Sequence, residues 1–226
     1  MQSEITPPFD AALFDNDGTI VDTERLLYRA WTALTARDGV DFTTFDYACI
    51  IGRPDLDCCA MVSDHFGLGY DPSQWNAEYK KIVFAMIDAG ELTLRPYAAT
   101  IIPALSVARV PLALVTSATR EHAEKALRPY RLLGLFRAVV TADTPGLTAR
   151  KPDPAPYLMA ASLLGVDPAR CIAFEDSPSG VRSARAAGCF VFGMPHEHSP
   201  AANLYEAHIV LASFADFDPS KVFREG

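Results

Sequence analysis
The sequence predicts an α/β fold: a doubly wound parallel sheet with helices on both faces, into which an all-helical block is inserted. Three observations point there. From Val110 onward short apolar runs alternate with helical segments, from Glu24 to about Ala89 the periodicity is helical throughout, and an apolar run over residues 9–14 stands alone ahead of that block. A chain of 226 residues is long for one minimal domain and short for two full ones, so its length favours a core with a modest insertion.

Taken in order, residues 9–14 form the first, central strand. Helices are expected over 24–37, 43–50, 54–65 and 72–88, broken at Asp38-Gly39, Gly52-Arg53-Pro54, Gly67-Leu68-Gly69 and Asp71-Pro72. Strands and helices then alternate: strand 112–116, helix 119–127, strand 138–141, helix 154–164, strand 171–174, helix 178–187, strand 190–192 and a last strand 208–211. Ser177-Pro178 is the N-cap and first-turn proline of the helix that follows it. The resulting division is a core of residues 1–21 and 92–226 and a helical domain of residues 22–91.

The charge balance excludes some partners. With 20 basic and 28 acidic residues the net charge is −8, so no global field draws in a nucleic acid. The five cysteines are odd in number and form neither a CxxC pair nor a zinc pattern, which suits reduced core residues of a cytoplasmic protein. The N-terminus lacks an export signal and no apolar run approaches about 18 residues, so neither secretion nor membrane spanning is expected. The expected form is a soluble monomer or small homo-oligomer.

In open parallel sheets, ligands bind beyond the carboxyl ends of the strands. The residues standing there are Asp15 and Asp17 after the first strand, Ser117 after residues 112–116, and Glu175 and Asp176 after residues 171–174, with Lys151 ahead of a helix. Two carboxylates closing a buried strand repel each other and need a cation between them. A carboxylate nucleophile, a second acid to move protons, a hard cation, a hydroxyl and an ammonium together suit phosphoryl transfer. His196-Glu197-His198 is better explained as a surface loop than as a transition-metal site, and Lys80 and Lys81 as a solvated helix face.

Four segments resemble, in order, the motifs of the haloacid dehalogenase superfamily. These are Phe14-Asp15-Asn16-Asp17-Gly18-Thr19, Val115-Thr116-Ser117-Ala118, Lys151-Pro152-Asp153-Pro154 and Phe174-Glu175-Asp176-Ser177-Pro178. The helical insertion resembles the cap of the subgroup with β-phosphoglucomutase and the small sugar-phosphate phosphatases. The resemblance implies a Rossmann-like core, Mg²⁺, and an aspartyl-phosphate formed on Asp15. It makes Asp17 the acid and base, gives Mg²⁺ to Asp15, Asp176 and the Asp17 carbonyl with Glu175 as ligand or neighbour, and assigns Ser117 and Lys151 to the phosphoryl group. Amides of the helix beginning near Thr119 would face the same phosphate. Thr19, Ala118 and the loop residue Arg53 are candidate substrate contacts.

Two departures stand out. Tyr97-Ala98-Ala99 replaces the Pro-Gly common in relatives, and Leu27 occupies the place of a cap histidine of the mutase and many phosphatases. The function expected is hydrolysis of a small phosphorylated metabolite, a sugar or polyol phosphate. A phosphomutase, or a non-catalytic regulatory protein on the same fold, are the alternatives.

Overall fold
The computed structural model describes residues 9–51, 53, 55–197 and 199–223. In chain order the regular elements are β1 (Ala11–Phe14), β2 (Val21–Asp22), α1 (Thr23–Thr35), α2 (Thr44–Ile50), α3 (Asp55–His65), α4 (Pro72–Asp88), β3 (Thr93–Leu94) and α5 (Ala98–Val107). They continue with β4 (Leu112–Val115), α6 (Arg120–Leu127), β5 (Ala138–Val140), α7 (Ala155–Leu164), β6 (Cys171–Glu175), α8 (Pro178–Ala186), β7 (Phe190–Gly193) and β8 (Ile209–Val210). The chain divides into two compact units, one running up to Asp22 and again from Leu94, the other Thr23–Thr93.

The first unit is built on a six-stranded sheet in the order β5-β4-β1-β6-β7-β8, with every pairing parallel. All four residues of β1 are buried, as its uninterrupted apolar run requires of a strand covered on both faces. Alternation sorts its side chains. Ala11 and Leu13 share a layer with Ala113, Val115, Ala173 and Val191, where the small residues Ala160, Ala161 and Ala184 of α7 and α8 come close. Phe14 on the other face stacks on Phe174 at 4.7 Å between ring centroids, and Phe174 on Phe192 at 5.3 Å.

Register is what positions the site. Phe14 is paired with both Leu114 and Phe174, and the Asp15 amide donates to the Phe174 carbonyl at 3.0 Å, so Asp15, Val115 and Glu175 come level at one edge of the sheet. A one-residue slip would turn each of these side chains to the opposite face.

The second unit is helical. Trp31 anchors its core, 4.5 Å from Tyr79, 5.6 Å from Trp75 and 5.9 Å from Phe42 between centroids. Thr43 and Asp46 form a reciprocal capping box that starts α2, and Asp71 with Pro72 starts α4. Among the described residues no helix is long and apolar enough to cross a membrane.

Several expectations need correction. The two-residue strands β2 and β3 pair with each other in a ribbon that local patterning does not announce. α5 is nearly all apolar and so shows no periodicity; it begins after Tyr97, whose φ of 65° lies in the left-handed region that favours glycine. Four cysteines are buried as expected, whereas Cys49 is exposed on α2.

Candidate active site
Lys151 sits in the turn ahead of α7, and its side chain is 4% exposed. Its ammonium donates to Asp15 Oδ1 at 2.6 Å, to Glu175 Oε1 at 2.6 Å and to the Val115 carbonyl at 2.8 Å. Three donors thus meet three acceptors supplied by three adjacent strand ends. Burial pushes the ammonium down, but Asp15 and Glu175 outweigh it and hold Lys151 above its ordinary value.

Glu175 is fully buried. Besides Lys151, its Oε1 accepts from the Tyr157 hydroxyl at 2.7 Å, while Oε2 accepts from the Ser177 amide at 3.4 Å and the Ser177 hydroxyl at 3.2 Å. Those four contacts fill the acceptor sites of a carboxylate. By distance Glu175 belongs to a buried oxygen cluster with Asp15 and Asp176, one oxygen of each lying within 4.8 Å of the others. By its hydrogen bonds it is also the acid that holds Lys151.

Asp17 is held at both oxygens. Oδ1 is hydrogen-bonded to His122 Nε2 at 3.1 Å, and Oδ2 accepts from the Thr116 hydroxyl at 3.3 Å and the Asn16 amide at 3.2 Å. Burial raises the Asp17 carboxyl, and the His122 ring with these hydrogen bonds brings it below the ordinary value. Asp15 goes the other way: burial pushes it well above the usual range, Lys151 opposes, and Glu175, Asp176 and Asp17 add repulsion. The two acids of one short motif therefore differ sharply in environment.

Asp176 accepts from the Thr19 hydroxyl at 3.3 Å on Oδ1 and meets His196 Nε2 at 2.9 Å on Oδ2. The Ser199 hydroxyl donates to its carbonyl. Gly18, at φ 80°, passes so close that a Cβ there would stand 2.2 Å from Asp176 Oδ2. Only a glycine combines that backbone angle with that approach.

These contacts place the expected residues unevenly. Asp15, Asp17, Lys151, Glu175 and Asp176 converge. Ser117, just beyond the end of β4, is exposed, and Thr116, still bonded through its amide to the Val140 carbonyl, is the buried hydroxyl that reaches Asp17. The Ala118 amide donates to Thr116 Oγ1 at 3.0 Å. Thr19 is fully buried against Asp176, which corrects its expected role as a substrate contact. At the start of α6 the Arg120 amide is taken by Asp143 at 2.9 Å and the His122 amide by Thr119 Oγ1 at 3.4 Å, so neither faces a phosphate. Arg53 belongs to the helical unit, is exposed, and donates to the Cys49 carbonyl at 3.2 Å.

Two histidines escape sequence reasoning. His196 is 7% exposed beside Asp176, which corrects the surface-loop expectation for it, while His198 lies outside the described residues. The loop after β7 turns back on itself through a backbone bridge between His196 and Ser199, and the fold carries both to Asp176. His122 gives no local signal beyond its place in the first turn after Thr119.

The model of the haloacid dehalogenase-like hydrolases matches residues 9–188, most of the chain. The chain belongs to this hydrolase family. It is 34% identical over 210 residues to a validoxylamine A 7'-phosphate phosphatase of Streptomyces hygroscopicus subsp. limoneus, spanning 92% of this chain and 95% of that protein. It is 32% identical over 214 residues to hexitol phosphatase A of Escherichia coli (strain K12), spanning 92% and 93%. Among solved structures it is similar to CbbY from Rhodobacter sphaeroides in complex with xylulose-(1,5)bisphosphate, at 26% identity and a TM-score of 0.79, covering 92% and 96%. The fold is shared with the β-phosphoglucomutase of Clostridium difficile, at a TM-score of 0.76 and 22% identity over 93% of each chain. In this hydrolase the strand-end acids thus sit on a scaffold common to phosphate-ester enzymes.

Proposed function
We propose that this hydrolase is a Mg²⁺-dependent phosphatase acting on a small phosphorylated sugar or polyol through an aspartyl-phosphate. The observation that carries the reading is the convergence of Asp15, Asp17, Asp176 and Lys151 at one sheet edge, with Lys151 bonded to Asp15 and with Thr116 and His122 bonded to Asp17. The two phosphatase relatives, named for validoxylamine A 7'-phosphate and for hexitols, support the substrate class.

The donor set fits Mg²⁺. Three buried carboxylates lie together against one ammonium, an excess of negative charge in oxygen ligands that suits a hard divalent cation. Asp15, Asp176 and the Asp17 carbonyl would hold it, and when bound it offsets the charge of the phosphoryl oxygens.

The residues of this chain then divide the work. Lys151 engages Asp15 Oδ1 and orients the carboxylate whose oxygen attacks phosphorus. As the substrate's P–O bond breaks, the Asp17 carboxyl gives its proton to the leaving oxygen; it then takes a proton from the water that attacks the aspartyl-phosphate, releasing phosphate and restoring Asp15. Thr116 fixes Asp17, and Ser117 is the hydroxyl left for the phosphoryl oxygens. The helical unit, Thr23–Thr93, is the cap in this reading and governs substrate choice, with Arg53 one candidate.

The test is a panel of phosphate esters, including sorbitol 6-phosphate, glucose 6-phosphate, glycerol 3-phosphate and 4-nitrophenyl phosphate. Stoichiometric release of phosphate that needs Mg²⁺, stops with EDTA and is lost in Asp15→Asn is expected. Isomerised sugar phosphate with little release would establish the mutase reading instead, and activity unchanged in Asp15→Asn would end the enzyme reading.

A further inference from the structure
We propose that His122 is a positioning residue for the acid and base of the reaction, fixing the plane of the Asp17 carboxyl through its second oxygen. The proposal rests on the phosphatase reading and goes beyond it, since no motif of the family placed His122 in the site.

The geometry is a two-point hold. Thr116 and Asn16 both bond Asp17 Oδ2, and a carboxylate held at one oxygen still turns about its Cβ–Cγ bond, a broad torsion with little preference of its own. His122 bonds the other oxygen, Oδ1, at 3.1 Å and removes that freedom. The histidine is itself well fixed. It stands in the first turn of α6, its amide accepted by the N-cap Thr119, and its side chain is 18% exposed. Asp17, Thr116 and His122 all belong to the same compact unit, so the hold is complete within the sheet domain. A bland explanation, a helix residue that meets an acid by chance, does not account for each Asp17 oxygen having its own donors from a different segment of chain.

The consequence concerns leaving groups. When the P–O bond of an alkyl ester breaks, its electron pair goes to an alkoxide oxygen that needs the Asp17 proton. When 4-nitrophenyl phosphate reacts, the phenolate departs without one. Loss of orientation at Asp17 therefore slows alkyl esters selectively, whereas general damage to folding or phosphate binding slows both alike. The quantity to follow is kcat/KM, which reports events through departure of the leaving group.

The experiment uses the alkyl ester of the panel that the wild type turns over fastest, beside 4-nitrophenyl phosphate. His122→Leu should lower kcat/KM about 30-fold on the alkyl ester and less than about 3-fold on the aryl ester, a share of the factor of about 10²–10⁴ ascribed to general acid–base catalysis. His122→Gln, whose amide reaches the place of Nε2, should recover most of the loss; His122→Asn, too short to reach it, should not. In the Asp17→Asn background His122→Leu should change kcat/KM less than about 2-fold, because residues acting as a unit are not additive. Equal losses on both esters, or a full loss added to that of Asp17→Asn, would overturn the proposal. Should His122→Leu fail to fold, His122→Asn and His122→Gln decide it by the same comparison. A wild type that cleaves no ester sinks the phosphatase reading and this inference with it; an active wild type with unselective His122 variants sinks the inference alone.

Discussion

A methyl group on Gly180 would stand 2.0 Å from the Glu175 carboxylate. The helix α8 therefore approaches the end of β6 as closely as a backbone without a side chain allows, and Ser177, its N-cap, bonds the same acid. Gly180→Ala forces Glu175 to shift, and with it Lys151. The expected outcome is a loss of about 1–3 kcal/mol in denaturant unfolding, as for overpacked interiors, together with a fall in kcat.

Lys151→Met removes the ammonium and leaves Asp15 and Glu175 buried without their cation partner. Breaking a buried pair in this way destabilises by about 3–5 kcal/mol. Turnover should drop at least about 100-fold, and the lost stability should return in part as pH falls and Asp15, which burial raises and Lys151 no longer opposes, takes up a proton. Thermal unfolding at several pH values checks the second point, and stability independent of pH would contradict it.

Thr116→Val and Ser117→Ala should behave differently although the residues are neighbours. Thr116→Val strips a donor from Asp17 and an acceptor from the Ala118 amide, and kcat/KM should fall about 10-fold, equivalent to one hydrogen bond to a charged group. Ser117→Ala should stay within about 2-fold of wild type. The reverse order would make Ser117 the more important of the two hydroxyls.

His208 gives stability a pH dependence away from the site. Its Nδ1 accepts from the Val191 amide at 2.9 Å and its ring stacks on Phe190, so the neutral form is the one that fits. Burial first, and Arg185 second, lower its value. A histidine lowered on folding contributes stability that is complete above the unfolded value of about 6.5 and lost as pH falls through the folded value. The Tm should drop in that interval by no more than about 2–4 °C, since the ring is only partly buried. His208→Asn keeps an acceptor without a titrating ring and should flatten the change.

Element types were legible because they are local. Residues 72–88 carry the 3.6 period, an Asp-Pro start and no competing signal, and the helix has those bounds. α5 was not legible in that way, because a segment apolar on all sides has no face to reveal its period. Acids placed straight after apolar strands were equally visible, since a parallel sheet must deliver its strand ends to one edge.

The choice between Thr116 and Ser117 was not visible, because a shift of one residue at a strand end reverses the side chain's direction and only the pairing with β1 and β5 fixes it. The sequence by itself determined that Asp15, Asp17, Glu175, Asp176 and Lys151 share an edge of one sheet. Tertiary structure alone decided which of them hold one another. His122 is separated from Asp17 by 105 residues, and His196 from Asp176 by 20. Contacts at such separations arise from where helices and loops pack against the sheet, and no period along the chain records them.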